Sequence, residues 1–170
     1  GHHRYLHYFP PRRSSDLLIA LVEMDSRVDL LEWSLQKILF SHLDAQFFKL
    51  SPLKARYSDP GQLRKEVELV FSVLARAGAE NQSDMEQAFD AAARALGLSG
   101  LALLAKDQTK IPDLDLALSE LEQLKPSAKS RLLKACVAGV VRDQKVSELE
   151  VELLRAFASA LDCPMPPAIV

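Results

Sequence analysis

Apolar positions recur along most of this chain every three to four residues, the spacing of helices that bury one face. Asp59-Pro60-Gly61-Gln62 supplies an N-cap, a proline at the first helical position and a capping-box glutamine. Leu63, Val67, Val70, Phe71 and Leu74 then share one face, and Gly78 closes the run. Ser83-Asp84-Met85-Glu86 predicts a second capping box, followed by Met85, Phe89, Ala92 and Leu96 on one face and a stop at Gly97. Pro112 opens a helix carrying Leu114, Leu118 and Leu121, and Pro126 opens another. From Ala45 to Ser58 the period lapses into a linker holding Phe47, Phe48, Leu50, Leu53 and Tyr57, apolar enough that it is expected to pack on the helices. Strand signals are missing. The expectation is an all-α fold, a bundle of about seven helices without a sheet.

The most informative pattern is an internal repeat at an offset of 118 residues. Ala20–Asp44 reads ALVEMDSRVDLLEWSLQKILFSHLD, and Ala138–Asp162 reads AGVVRDQKVSELEVELLRAFASALD; 10 of the 25 aligned positions are identical, too many for an ungapped chance match. Each copy reads as helix, short turn, helix, with the turn at Asp-x-(Arg/Lys)-Val. Two related hairpins, packed as a pseudo-symmetric pair, are expected.

Composition agrees with the helical reading. The 170 residues include 30 Leu and 21 Ala but only 11 Val, 4 Ile and 1 Thr, a mixture that suits helices and fills a sheet poorly. That length suits one domain with a real core. A net charge of -2, from 21 basic and 23 acidic residues, argues against a dedicated nucleic-acid binder. The longest stretch without a formal charge, Ala95–Ala105, is too short to span a bilayer and is broken by Gly97 and Gly100. Cys136 and Cys163 sit among apolar neighbours and read as core residues in a reducing compartment rather than a disulfide framework.

Gly1–Asp16 differs from the rest: it holds three of the four histidines, two adjacent prolines and no helical period. RYLHYFPPRRSSDL resembles the translation of a common sequencing adapter. Residues 1–16 are therefore expected to be non-native, with the natural protein extending further upstream, and the domain is taken as 17–170.

Candidate chemistry is sparse. The four repeated acids are Asp25 and Glu32 in the first copy, Asp143 and Glu150 in the second. Their pattern resembles the back half of a calcium-binding loop, yet the early ligand positions hold Leu21 and Glu23 in one copy, Gly139 and Val141 in the other. Asp29-Leu-Leu-Glu32 and Ser147-Glu-Leu-Glu150 both form capping boxes, and the aspartates can hold turn amides. Capping is the preferred reading, with an ion or partner role the alternative. Outside residues 1–16 the single histidine is His42, read as a packing residue, and Trp33 is read as core. The chain has no His-Glu-x-x-His, no phosphate loop and no Gly-x-Ser-x-Gly, so no catalytic residue, metal site or cofactor is expected within it.

At the repeated turn the chain resembles the TerB-like helical domains, whose pattern is Asp-Gly-x-(Ile/Val)-x-x-x-Glu between two helices. More specifically, VDLLEWSLQKIL, RYSDPGQLRKEVELVFSVLARAG, RLLKACVAGVV and VELLRAFASALDCPMPP resemble the C-terminal region of bacterial HtpX-like membrane zinc metallopeptidases. The departure is at the turn glycine, here Ser26 and Gln144. The resemblance implies a TerB-like bundle serving as the non-catalytic C-terminal domain of a membrane protease, on the cytoplasmic face of the inner membrane. Zinc would belong to the absent protease part alone. The implied partners are that upstream part, a protein substrate or a second copy, with no nucleic acid and no membrane span in this chain. The other reading is a free-standing TerB-like protein of tellurite-resistance or stress type, with metal responsiveness left open.

Overall fold

The computed structural model describes residues 30–47 and 55–165. Among these residues there are six α-helices: α1 (Leu30–Phe47), α2 (Arg64–Gly78), α3 (Gln82–Leu96), α4 (Ile111–Leu121), α5 (Pro126–Val140) and α6 (Glu148–Ala160). Short 3-10 turns at Pro60–Leu63, Lys106–Gln108 and Val141–Asp143 join them. The only extended pairing among the described residues is one isolated bridge between Tyr57 and Leu124. The protein is all-α.

Helix α2 is the axis of the bundle and packs on α3, α4, α5 and α6. Val67, Leu69, Val70, Phe71, Ser72, Val73, Leu74 and Ala75 are all buried, so almost its whole circumference is core. Phe71 meets Phe89 of α3 edge-on, with ring centroids 6.3 Å apart. The polar residues of α2 are used in a way its periodicity does not reveal. Arg64 donates to the Ser99 carbonyl at 2.6 Å, and Glu68 accepts from the Ala102 N–H at 3.0 Å. Ser72 accepts from the Leu104 N–H at 2.9 Å, and Arg76 donates to the Leu104 carbonyl at 2.7 Å. Four side chains at intervals of four residues thus hold the extended segment after α3 along the helix. Leu98, Leu101, Leu103 and Leu104 of that segment pack against the core. The uncharged stretch after Ala95 is a strap over α2, four of its backbone groups bonded by side chains of that helix.

Caps follow the sequence reading at most helix ends. Asp59 accepts from Gly61 N–H and Gln62 reaches back to Asp59 N–H, closing the expected box, although its first turn is 3-10 before α2 begins. Gly97 ends α3 in the left-handed region at φ 78°. The box expected at Ser83 is not the cap of α3. Asn81, in extended conformation, accepts from Asp84 N–H at 3.0 Å, so the helix starts earlier, at Gln82. Ser83 and Glu86 instead accept hydrogen bonds from Gln87 and Gln82 along the helix surface. The expected linker also starts later, since α1 runs through Ala45 to Phe47. Of the linker's apolar residues, Tyr57 packs on the core; Phe48, Leu50 and Leu53 lie outside the described residues.

Helices α3 and α5 approach closely because small residues meet there. A side chain on Gly139 would come within 3.0 Å of the Ala88 carbonyl oxygen and 3.2 Å of the Ala92 Cβ. Helices α1 and α6, the second helices of the two repeats, begin at matching positions and pack on each other. Trp33 of α1 meets Phe157 of α6 edge-on at 6.4 Å, and its indole N–H donates to Asp115 of α4 at 3.2 Å. Lys37 donates to the same carboxylate at 2.6 Å. Trp33 is core, as expected.

Candidate functional site

The repeated turn is described in full only in its second copy. Helix α5 ends in the 3-10 turn Val141–Asp143, and Gln144 then turns the chain at φ 60°, ψ 12°. That left-handed conformation is what the glycine of the Asp-Gly-x-Val pattern would supply at no steric cost. Asp143 accepts from the Lys145 N–H at 3.0 Å, so the carboxylate holds the turn it sits in. Arg142 donates to the Gly139 carbonyl at 3.2 Å and lies 3.5 Å from the Asp143 carboxylate.

Ser147 and Glu150 then build the capping box that starts α6. The Ser147 N–H and hydroxyl donate to one Glu150 carboxylate oxygen at 2.9 and 2.8 Å, and the Glu150 N–H donates to Ser147 Oγ at 3.2 Å. Unusually for a capping glutamate, Glu150 is 2% exposed. It lies under the end of α2, where a Cβ on Gly78 would overlap the carboxylate. Phe71, Leu74, Ala88 and Ala92 wall the remaining space, a void of about 10 Å³. That is no more than one water molecule needs. The Glu150 carboxylate, with its bonds made to its own cap, holds the start of α6.

The other candidates are scattered. Glu32 occupies the matching place in the first turn of α1 but is exposed. Asp25 and the predicted cap Asp29 lie outside the described residues. His42 is exposed on α1. Cys136 is fully buried, and burial pushes its thiol up to about 12, which keeps it protonated and inert. Cys163 is half-buried and its thiol is also raised, first by burial. Glu122 at the end of α4 has its carboxyl raised by burial, an effect that Lys129 opposes, Asp162 reinforces and Lys37 opposes. Among the described residues, no three His, Cys, Asp or Glu side chains are grouped to hold a metal ion, and no helix is long and apolar enough to cross a membrane.

Gly78 is the residue of this site that the sequence pattern undervalues. It was expected only to stop α2, whereas its missing side chain also makes room for Glu150. No spacing rule signals this, because the two residues are far apart in the chain. No protein family, no curated protein and no solved structure matches this chain.

Proposed function

We propose that this chain is a non-catalytic helical domain attached to a membrane-bound zinc metallopeptidase, where it serves interaction or regulation. The observation that supports this reading is the turn from Asp143 to Glu150. Its left-handed residue, its turn-holding aspartate and its buried capping glutamate occupy the positions that the TerB-like pattern marks. Asp143 and Glu150 are spent on building the hairpin, and the domain's contribution then lies in its surfaces. Zinc chemistry, in this reading, belongs to the protease part upstream, which the domain accompanies on the inner face of the membrane.

The test is the gene itself. Reading upstream of the codon for Leu17 should reveal, in frame, a His-Glu-x-x-His motif preceded by hydrophobic spans. A start codon close to Leu17 would overturn the proposal and favour a free-standing TerB-like protein.

A further inference from the structure

Helix α1 is apolar on two sides. Leu30, Trp33 and Ile38 pack on the bundle. Leu31, Leu35 and Leu39 stand one turn apart on another side and are 40%, 52% and 55% exposed. Among the described residues the other exposed large apolar side chains are Leu116, Val141 and Val146, which sit singly on other elements. Single exposed leucines are ordinary, whereas a continuous stripe marks a binding surface. A helix that is apolar all round belongs in a covered place.

The polar residues of that face say what covers it. The exposed residues of α1 whose side chains are described are Leu31, Glu32, Leu35, Leu39 and His42. Lys37 is turned onto Asp115. The face therefore presents no cation to anionic lipid headgroups, which an interfacial helix uses. It carries one carboxylate towards its start and one imidazole towards its end. A carboxylate offers only acceptors, and an imidazole brings an N–H donor.

Such a face complements itself. Two copies related by a two-fold axis meet patch on patch, so each contact is made twice. With α1 antiparallel to α1 and Leu35 of one copy on Leu39 of the other, the same register sets Leu31 against half-buried Leu43 and Glu32 against His42. A parallel pair would set Glu32 against Glu32, acceptor against acceptor, so polarity selects the antiparallel one. Helix α1 has 18 residues, a length of about 27 Å. One face of that length buries less than the roughly 1,200 Å² of a stable interface, so the pairing is weak and concentration-dependent.

We infer that the Leu31–Leu35–Leu39 face of α1 docks on the same face of a second copy of this chain, antiparallel, with Glu32 of each copy on His42 of the other. The inference stands on α1 alone and does not depend on the protease reading.

The test has two arms on the full chain. In sedimentation equilibrium from about 10 μM to about 1 mM, the mass should rise from one chain towards two. Leu35→Asp, at an exposed position, should keep the parent circular dichroism and weaken association at least about 30-fold, since a charge enters the interface twice. The second arm is disulfide cross-linking in a Cys163→Ser background, with buried Cys136 left in place. Glu32→Cys protein mixed with His42→Cys protein should give a linked dimer, while neither alone should. Three results would overturn the inference. One is the mass of a single chain at every concentration, which would leave the face to another part of the chain or another partner. Another is a Leu35→Asp variant that associates like the parent. The third is cross-linking of Glu32→Cys alone as efficient as in the mixture, which would make the pair parallel.

Discussion

Helices α1 and α6 begin with the same signature, a Leu-Glu pair followed by Leu three residues on, and the repeat closes in both copies on Ser-x-Leu-Asp. Their fates differ. In α6 the glutamate is sealed beneath α2 and the leucine is fully buried, whereas in α1 both are exposed. The difference lies in what stands next to each helix. Among the described residues, helix α6 is surrounded by α1, α2, α4 and α5, while α1 rests on α6 and bonds to Asp115 of α4. A repeated motif specifies its local turn and cap; burial is conferred by neighbours.

The largest expected contrast is between the matched leucines. Leu153→Ala should cost about 2–5 kcal/mol in urea unfolding, as large-to-small changes in packed cores do. Leu35→Ala should cost about 1 kcal/mol or less, because half of that side chain already meets water. Equal losses would erase the distinction between the two copies. Next is Gly78→Ala, which drives a methyl group into the Glu150 carboxylate and should cost about 1–3 kcal/mol by overpacking. If that variant melts with the parent, α2 does not roof α6 as described.

The glutamates should differ by less. Glu150→Ala leaves the Ser147 N–H and hydroxyl without their acceptor and should cost about 1–2 kcal/mol. Glu32→Ala, on an exposed first turn, should cost about 0.5 kcal/mol. Glu150→Gln should be mild, since an amide oxygen still accepts the cap's N–H, and a chelator should leave the melting of the parent unchanged. A parent that melts earlier with chelator, and a Gln variant that ignores it, would assign the turn to an ion. One further effect, of similar size, has the opposite sign. Gln144→Gly should raise stability by about 0.5–1 kcal/mol, because only glycine adopts φ 60° without a Cβ penalty. A loss there would mean that the Gln144 side chain holds the turn in some further way.

Much of this fold was legible from local chemistry. Apolar periodicity announced α2, α3 and α4, the repeat announced α6, and the Asp59 box, the Gly97 stop and the Pro126 start read correctly, because caps and stops depend on residues within one turn of each other. At α3 the local signal misled. Ser83 reads as the cap, whereas the helix starts from Asn81, whose extended backbone lets its side chain reach the Asp84 N–H.

By itself the sequence determined the helical class, the repeat and the capping role of Glu150, since each is written in spacings of three, four or 118 residues. Only the tertiary structure decided that Glu150 would be buried and Glu32 exposed, that Gly78 would make room for a carboxylate, and that Arg64, Glu68, Ser72 and Arg76 would strap down a distant loop. The physical reason is range. A cap, a turn and an amphipathic face are satisfied by neighbours in the chain, whereas burial and close approach are set by whichever helix the packed bundle places alongside.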